Sequence, residues 1–180
     1  MSLPTGELEI DSIEGLQAYG FEGFLTVRTL RDEDCASVPA ETGVYLVVRD
    51  WTEPPRFMPK SPAGFLRGQA PSVSVETLQE KWIEGACVLW IGHAHGPGVR
   101  HRLHQRIKRM IRFGSGKQVA HWGGRYLWQM SGANALRFAW FPTDKRESDK
   151  LFNRVFKAFD ERFDALPFAN LEIEEQESEE

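Results

Sequence analysis

A chain of 180 residues suits one domain with room for a real core, and 41% hydrophobic with 12% aromatic content excludes a disordered protein. The net charge of −4 hides a division: between Glu84 and Asp144 there is no acidic residue, but nine lysines and arginines and all five histidines, leaving 13 basic and 26 acidic residues elsewhere. Nothing approaches the ~18 consecutive apolar residues of a membrane span, and no basic region followed by an apolar stretch opens the chain, which points to a soluble, cytoplasmic protein.

In chain order, Phe24–Val27 reads as a short strand or the lead into one. Thr42–Val48 is a stronger strand, β-branched and aromatic after Pro39 and Gly43. Residues 51–73 hold five of the ten prolines and are expected to be irregular. Ser74 caps a helix predicted through Glu84, with Leu78 and Trp82 on one face. Gly85 ends it, and Ala86–Ile91 reads as a buried strand stopped by Gly92. Cys87 sits in that apolar run, so a reduced, buried thiol is expected.

From Val99 to Phe113 the pattern turns helical. Leu103, Ile107, Met110 and Ile111 form its apolar stripe, and Arg102, Arg106, Arg109 and Arg112 share another face at spacings of four, three and three. Gly114-Ser115-Gly116 closes the helix. A loop rich in Gly and Trp leads to a third strand at Ala135–Phe141. A long amphipathic helix then runs from Arg146 to Phe163 and ends at Leu166-Pro167. The tail Leu171–Glu180, with six glutamates, is expected to be solvated. The fold class that follows is a small α/β (α+β) domain over residues 1–170, with about three mostly antiparallel central strands flanked by helices and an insertion at 51–84.

The acid-free window reads as a surface for a polyanion, or as a solvated basic helix paired with acidic neighbours. Arg102, Arg109, Arg112, Lys117, Arg125 and Asn170 are the candidate contacts to a nucleic acid. His93, His95, His101 and His104 also permit a zinc site, although no carboxylate or cysteine lies between Cys87 and Asp144 to complete it.

Gly43-Val44-Tyr45 and Trp90-Ile91-Gly92 resemble the two half-motifs of the GIY-YIG nuclease superfamily. The run Arg102–Ile107 resembles that family's arginine helix, Glu147 its metal-binding glutamate, and Pro167–Asn170 its terminal asparagine segment. The run His121–Trp128 is similar to a segment of some bacterial members. The resemblance spans residues 40–170 in order. It implies an endonuclease that hydrolyses phosphodiester bonds in DNA with Mg²⁺ or another divalent cation. Tyr45 would serve as general base, Arg106 as the fork on phosphate oxygens, and Glu147 as metal ligand. A phenol with a free pKa of about 10 needs a nearby cation for that task.

The chain also departs from the family pattern. Trp90 replaces the usual tyrosine and can donate a hydrogen bond but not accept a proton. Met110 stands where many members have histidine, which leaves His121 or His104 for proton relay. The half-motifs lie 45 residues apart. Asp149 can align in place of Glu147, and Arg102 in place of Arg106. These departures motivate the alternative of a nucleic-acid-binding module that has lost catalysis.

Overall fold

The structure, a computed structural model, describes residues 2–119 and 121–171. Among these are four strands in one antiparallel sheet and six α-helices. The strands are β1 (Glu22–Thr26), β2 (Gly43–Val48), β3 (Val88–Ala94) and β4 (Arg137–Pro142), in the order β1-β4-β2-β3. The helices are α1 (Ile13–Tyr19), α2 (Val27–Asp32), α3 (Val75–Lys81), α4 (Leu103–Gly114), α5 (Arg125–Trp128) and α6 (Lys145–Phe163). The sheet therefore has one strand more than predicted: Glu22–Thr26 pairs with β4, and Val27 already belongs to the next helix. No helix among the described residues is long and apolar enough to cross a membrane.

The half-motifs meet because β2 and β3 pair antiparallel, setting Gly43 opposite Ala94, Tyr45 opposite Gly92 and Val47 opposite Trp90. The 39 residues between the two strands do not separate them. Their insertion folds back on the core instead. Buried Gln129 takes a hydrogen bond from the Val73 amide and gives two, to the Met58 and Val73 carbonyls, while Leu78 of α3 is fully buried. Such pairing satisfies the amide of a side chain that would be costly to bury alone.

Strand alternation divides the core between the two faces of the sheet. Tyr45, Val47, Leu89, Phe138 and Trp140 face α4, packing with Leu103, Ile107 and Met110. Val44, Leu46, Val48, Ile91 and Phe141 face α6, packing with Leu151, Val155 and Phe159. A register shift between Val47 and Val48 is what lets Leu89 and Trp90 both lie with the first of these clusters.

Boundaries moved for local reasons. β3 continues three residues past the predicted end, since Gly92 costs the strand nothing where the Tyr45 ring fills the space above it. The predicted Val99 start is a single 3₁₀ turn; Arg102, at φ −82° and ψ 156°, is the extended cap from which α4 begins. Leu171, assigned to the solvated tail, is buried; the rest of the acidic tail lies outside the described residues.

Candidate nucleic-acid interface

The α4 face of the sheet collects most of the candidate residues. Tyr45 is 3% exposed, its ring laid over Gly92 and stacked with Phe138 at 6.5 Å between centroids. Its hydroxyl lies within electrostatic reach of Arg109. Burial, with Arg106 and Arg100 close by, lowers the Arg109 guanidinium below its ordinary value, while Tyr45 pulls the other way. Arg106 is held by His101: Nη2 lies 3.2 Å from the imidazole Nδ1, which accepts because a guanidinium can only donate. The neighbouring arginines lower the His101 pKa after the larger effect of burial, favouring that neutral acceptor form.

Arg102, Arg106 and Arg109 are half-buried and Arg112 is exposed, so the arginine row borders the apolar stripe of α4 rather than standing opposite it. None of the four has an ion pair among the described residues. Lys108, on another flank of the helix, is paired with Asp34 at 2.6 Å, and Arg137 with Asp50 at 2.7 Å. The basic window thus has acidic neighbours at its margins, and its arginine row is left open.

His121 packs between Trp90 and Phe113, at 6.2 and 6.4 Å between ring centroids. Burial pushes its pKa down to about 4, against the pull of the Gly123 carbonyl, so the ring is neutral at pH 7. Trp90 borders Gly124, where the left-handed backbone (φ +74°) and a close Met110 Sδ-methyl leave no room for a Cβ.

Three expectations need correction. Arg125 does not present itself to a polyanion. It is 7% exposed, with its guanidinium over the Trp122 and Tyr126 rings at 4.7 and 5.2 Å, because the short helix α5 turns its whole sequence inward. Asn170 is engaged by the sheet: its carboxamide accepts from the Ile91 amide at 2.9 Å and donates to the Ile91 carbonyl at 3.0 Å. Lys117 needs no correction: it is exposed in the loop after α4, where its carbonyl packs against Gly64 of the insertion.

Glu147 is the third. It begins α6 on the opposite face of the sheet from Tyr45, and its carboxylate takes Lys150 Nζ at 2.6 Å. That lysine first, and the Leu3 amide too, hold its carboxyl below the ordinary range. Two residues further along a helix is ~200° of rotation, which carries Asp149 to the other flank. There its carboxylate is half exposed and 3.4 Å from His93 Nε2. A cation facing the arginine row is therefore not one that Glu147 fits. Asp149, on the same helix, is the carboxylate that lies beside His93.

The histidines around Asp149 entered the sequence reading only as possible zinc ligands. The His93 ring is sandwiched between His95 and Phe152, at 4.0 and 4.6 Å. Ser148 Oγ donates its one proton to the Lys145 carbonyl, so its 3.0 Å contact with His93 requires Nε2–H to be the donor. Burial, then His95, lowers the His93 pKa to about 4. Ser148 with His93 and Asp149 is thus no nucleophile triad, since the serine proton points away from the imidazole. The one advance signal was spacing: His93 and His95, two apart on a strand, must share a face. Among the described residues no group of three or more His, Cys, Asp or Glu side chains can hold a metal ion, which removes the zinc arrangement.

Comparison of the chain with family models, curated proteins and solved structures finds no match to any of the three.

Proposed function

We propose that the protein binds nucleic acid by its phosphates along the arginine row of α4. The observation that carries this reading is the set Arg102, Arg106, Arg109 and Arg112, without ion pairs among the described residues and set in a window with no carboxylate. Guanidinium forks match phosphate oxygens and keep their charge at any physiological pH. A DNA duplex is the ligand to test first, since a row of arginines along one helix can contact successive phosphates of one strand.

The test is fluorescence anisotropy with a labelled duplex between about 50 and 200 mM salt, where several phosphate contacts should cost orders of magnitude in affinity. Arg106→Gln and Arg109→Gln should each flatten the logarithmic salt slope by about one. Absence of binding at the lowest salt rejects the reading.

A second reading, a metal-dependent endonuclease, draws on Tyr45 within reach of Arg109 and on Asp149 beside His93. A divalent cation at Asp149 would neutralise charge on the phosphate, while Arg106 and Arg109 orient it. Nicking of supercoiled plasmid in Mg²⁺ that Asp149→Asn abolishes and Glu147→Gln leaves intact supports it. Nicking that survives both substitutions counts against it.

A further inference from the structure

Trp90, which breaks the family pattern, packs beside His121, and each of the two rings carries a buried nitrogen without a hydrogen-bond partner among the described residues. Trp90 Nε1, Arg106 Nε and His121 Nδ1 are buried and without a hydrogen-bond partner among the described residues. Indole and guanidinium nitrogens are donors only, and a neutral imidazole can present a donor at Nδ1 by choice of tautomer. His121 is 8% exposed, its ring lies 6.2 Å from that of Trp90, and Arg106 and Arg109 are near enough to depress its protonation. Gly124 lets the backbone close over Trp90 and Met110, one helical turn beyond Arg106.

Buried donors without acceptors are costly and rare in folded proteins, and each calls for an explanation such as a bound ion or ligand. Three of them, all from a stretch of chain without carboxylates, favour an anion over a cation. We infer that Trp90 is a phosphate-positioning residue: its indole N–H, with Arg106 Nε–H and the neutral His121 ring, holds a non-bridging oxygen of a phosphodiester. The ligand enters past the half-exposed arginines. This inference rests on the nucleic-acid reading above and gives it a floor; the arginine row supplies long-range attraction, and the three donors fix one phosphate in place.

The six tryptophans can be labelled with ¹⁵N in the indole ring, and the Trp90 N–H signal identified from its loss in Trp90→Phe or in Trp90→Tyr. Inorganic phosphate, and then a short DNA duplex, should move that signal downfield and saturably in the wild-type protein, where potassium chloride of equal ionic strength does not. Trp90→Phe should weaken duplex binding about tenfold, and Trp90→Tyr, which restores a donor, should recover part of it. If the duplex binds with the Trp90 signal unmoved and Trp90→Phe binds equally well, the inference is overturned and the nucleic-acid reading stands. An equal shift with potassium chloride likewise overturns it. No duplex binding at all removes both.

Discussion

The two motif glycines are explained by what a side chain would meet. At Gly92 a Cβ would enter the Tyr45 ring on the neighbouring strand; at Gly43 it would enter the Phe141 carbonyl of β4. Neither depends on a turn, so both are positions of close approach. Gly92→Ala should therefore act on Tyr45: the ring must rotate off Phe138 or the strands must part. Overpacking of this kind costs about 1–3 kcal/mol. Thermal melting with calorimetry checks the cost, and Gly92→Ala in a Tyr45→Ala background should lose most of it. An undiminished penalty in the double variant would mean that the strain lies in the backbone. The same scale explains why Glu147 misled. A glutamate in the first turn of a helix is stabilised by the helix dipole whatever else it does. Here it also answers Lys150 and Leu3, which chain order could not reveal.

At the scale of elements, α4 and the C-terminal segment make the site. Helix α4 is amphipathic in the ordinary way, with Leu103, Ile107 and Met110 buried, and its arginines ride the border of that stripe. The segment at Asn170 works differently. It clips the outer edge of β3 through both polar groups of Ile91, and the Ala169 amide adds a bond to the Leu89 carbonyl. An edge strand covered in this way offers no row of free amides to another chain. Asn170→Ala leaves the Ile91 groups without partners, so a loss of about 1–3 kcal/mol is expected in urea denaturation. Amide exchange of Ile91 should accelerate in step. Unchanged stability and exchange would show that water replaces the carboxamide at no cost. The strands β2 and β4 and the helices α4 and α6 were legible in the sequence because each carries a periodic pattern over six or more residues. Helices α1 and α2, of seven and six residues, are too short to show one. Their signals are the local caps Ser12 and Thr26, each accepting an amide proton three residues ahead. The sheet's face division was readable from alternation in β2, but the shift that brings Trp90 to the Tyr45 face is a property of pairing, not of either strand alone.

Over the whole molecule, the charge division and the two buried histidines bear on one property, stability in acid. His121 sits inside the face that carries the arginines, and His93 inside the face that meets α6, both with pKa values near 4. A histidine whose folded pKa is depressed binds its proton more readily in the unfolded chain. Its contribution is complete above the unfolded value of about 6.5, shrinks as pH falls, and is exhausted near pH 4. For His121, the more deeply buried of the two, the full effect is about 3 kcal/mol, with roughly 2 kcal/mol gone by about pH 5. The lowered carboxyls of Asp34 and Glu147 act in the same direction, their contribution being lost as pH falls through their own lowered values. Urea midpoints at pH 7 and pH 5 should therefore fall apart in the wild type and lie closer together in His121→Gln, which removes one of the two titrating groups and keeps a polar side chain. An equal fall in both proteins would assign the acid sensitivity elsewhere, first to His93, where His93→Gln makes the same comparison. Neutral His121 also has a consequence for binding: its part in holding an anion is an uncharged N–H. Affinity for a duplex should be flat from about pH 8 to pH 6, because the guanidiniums and the indole do not titrate there. A steep gain in affinity over that range would mean that a histidine proton, not the arginine row, brings the anion in.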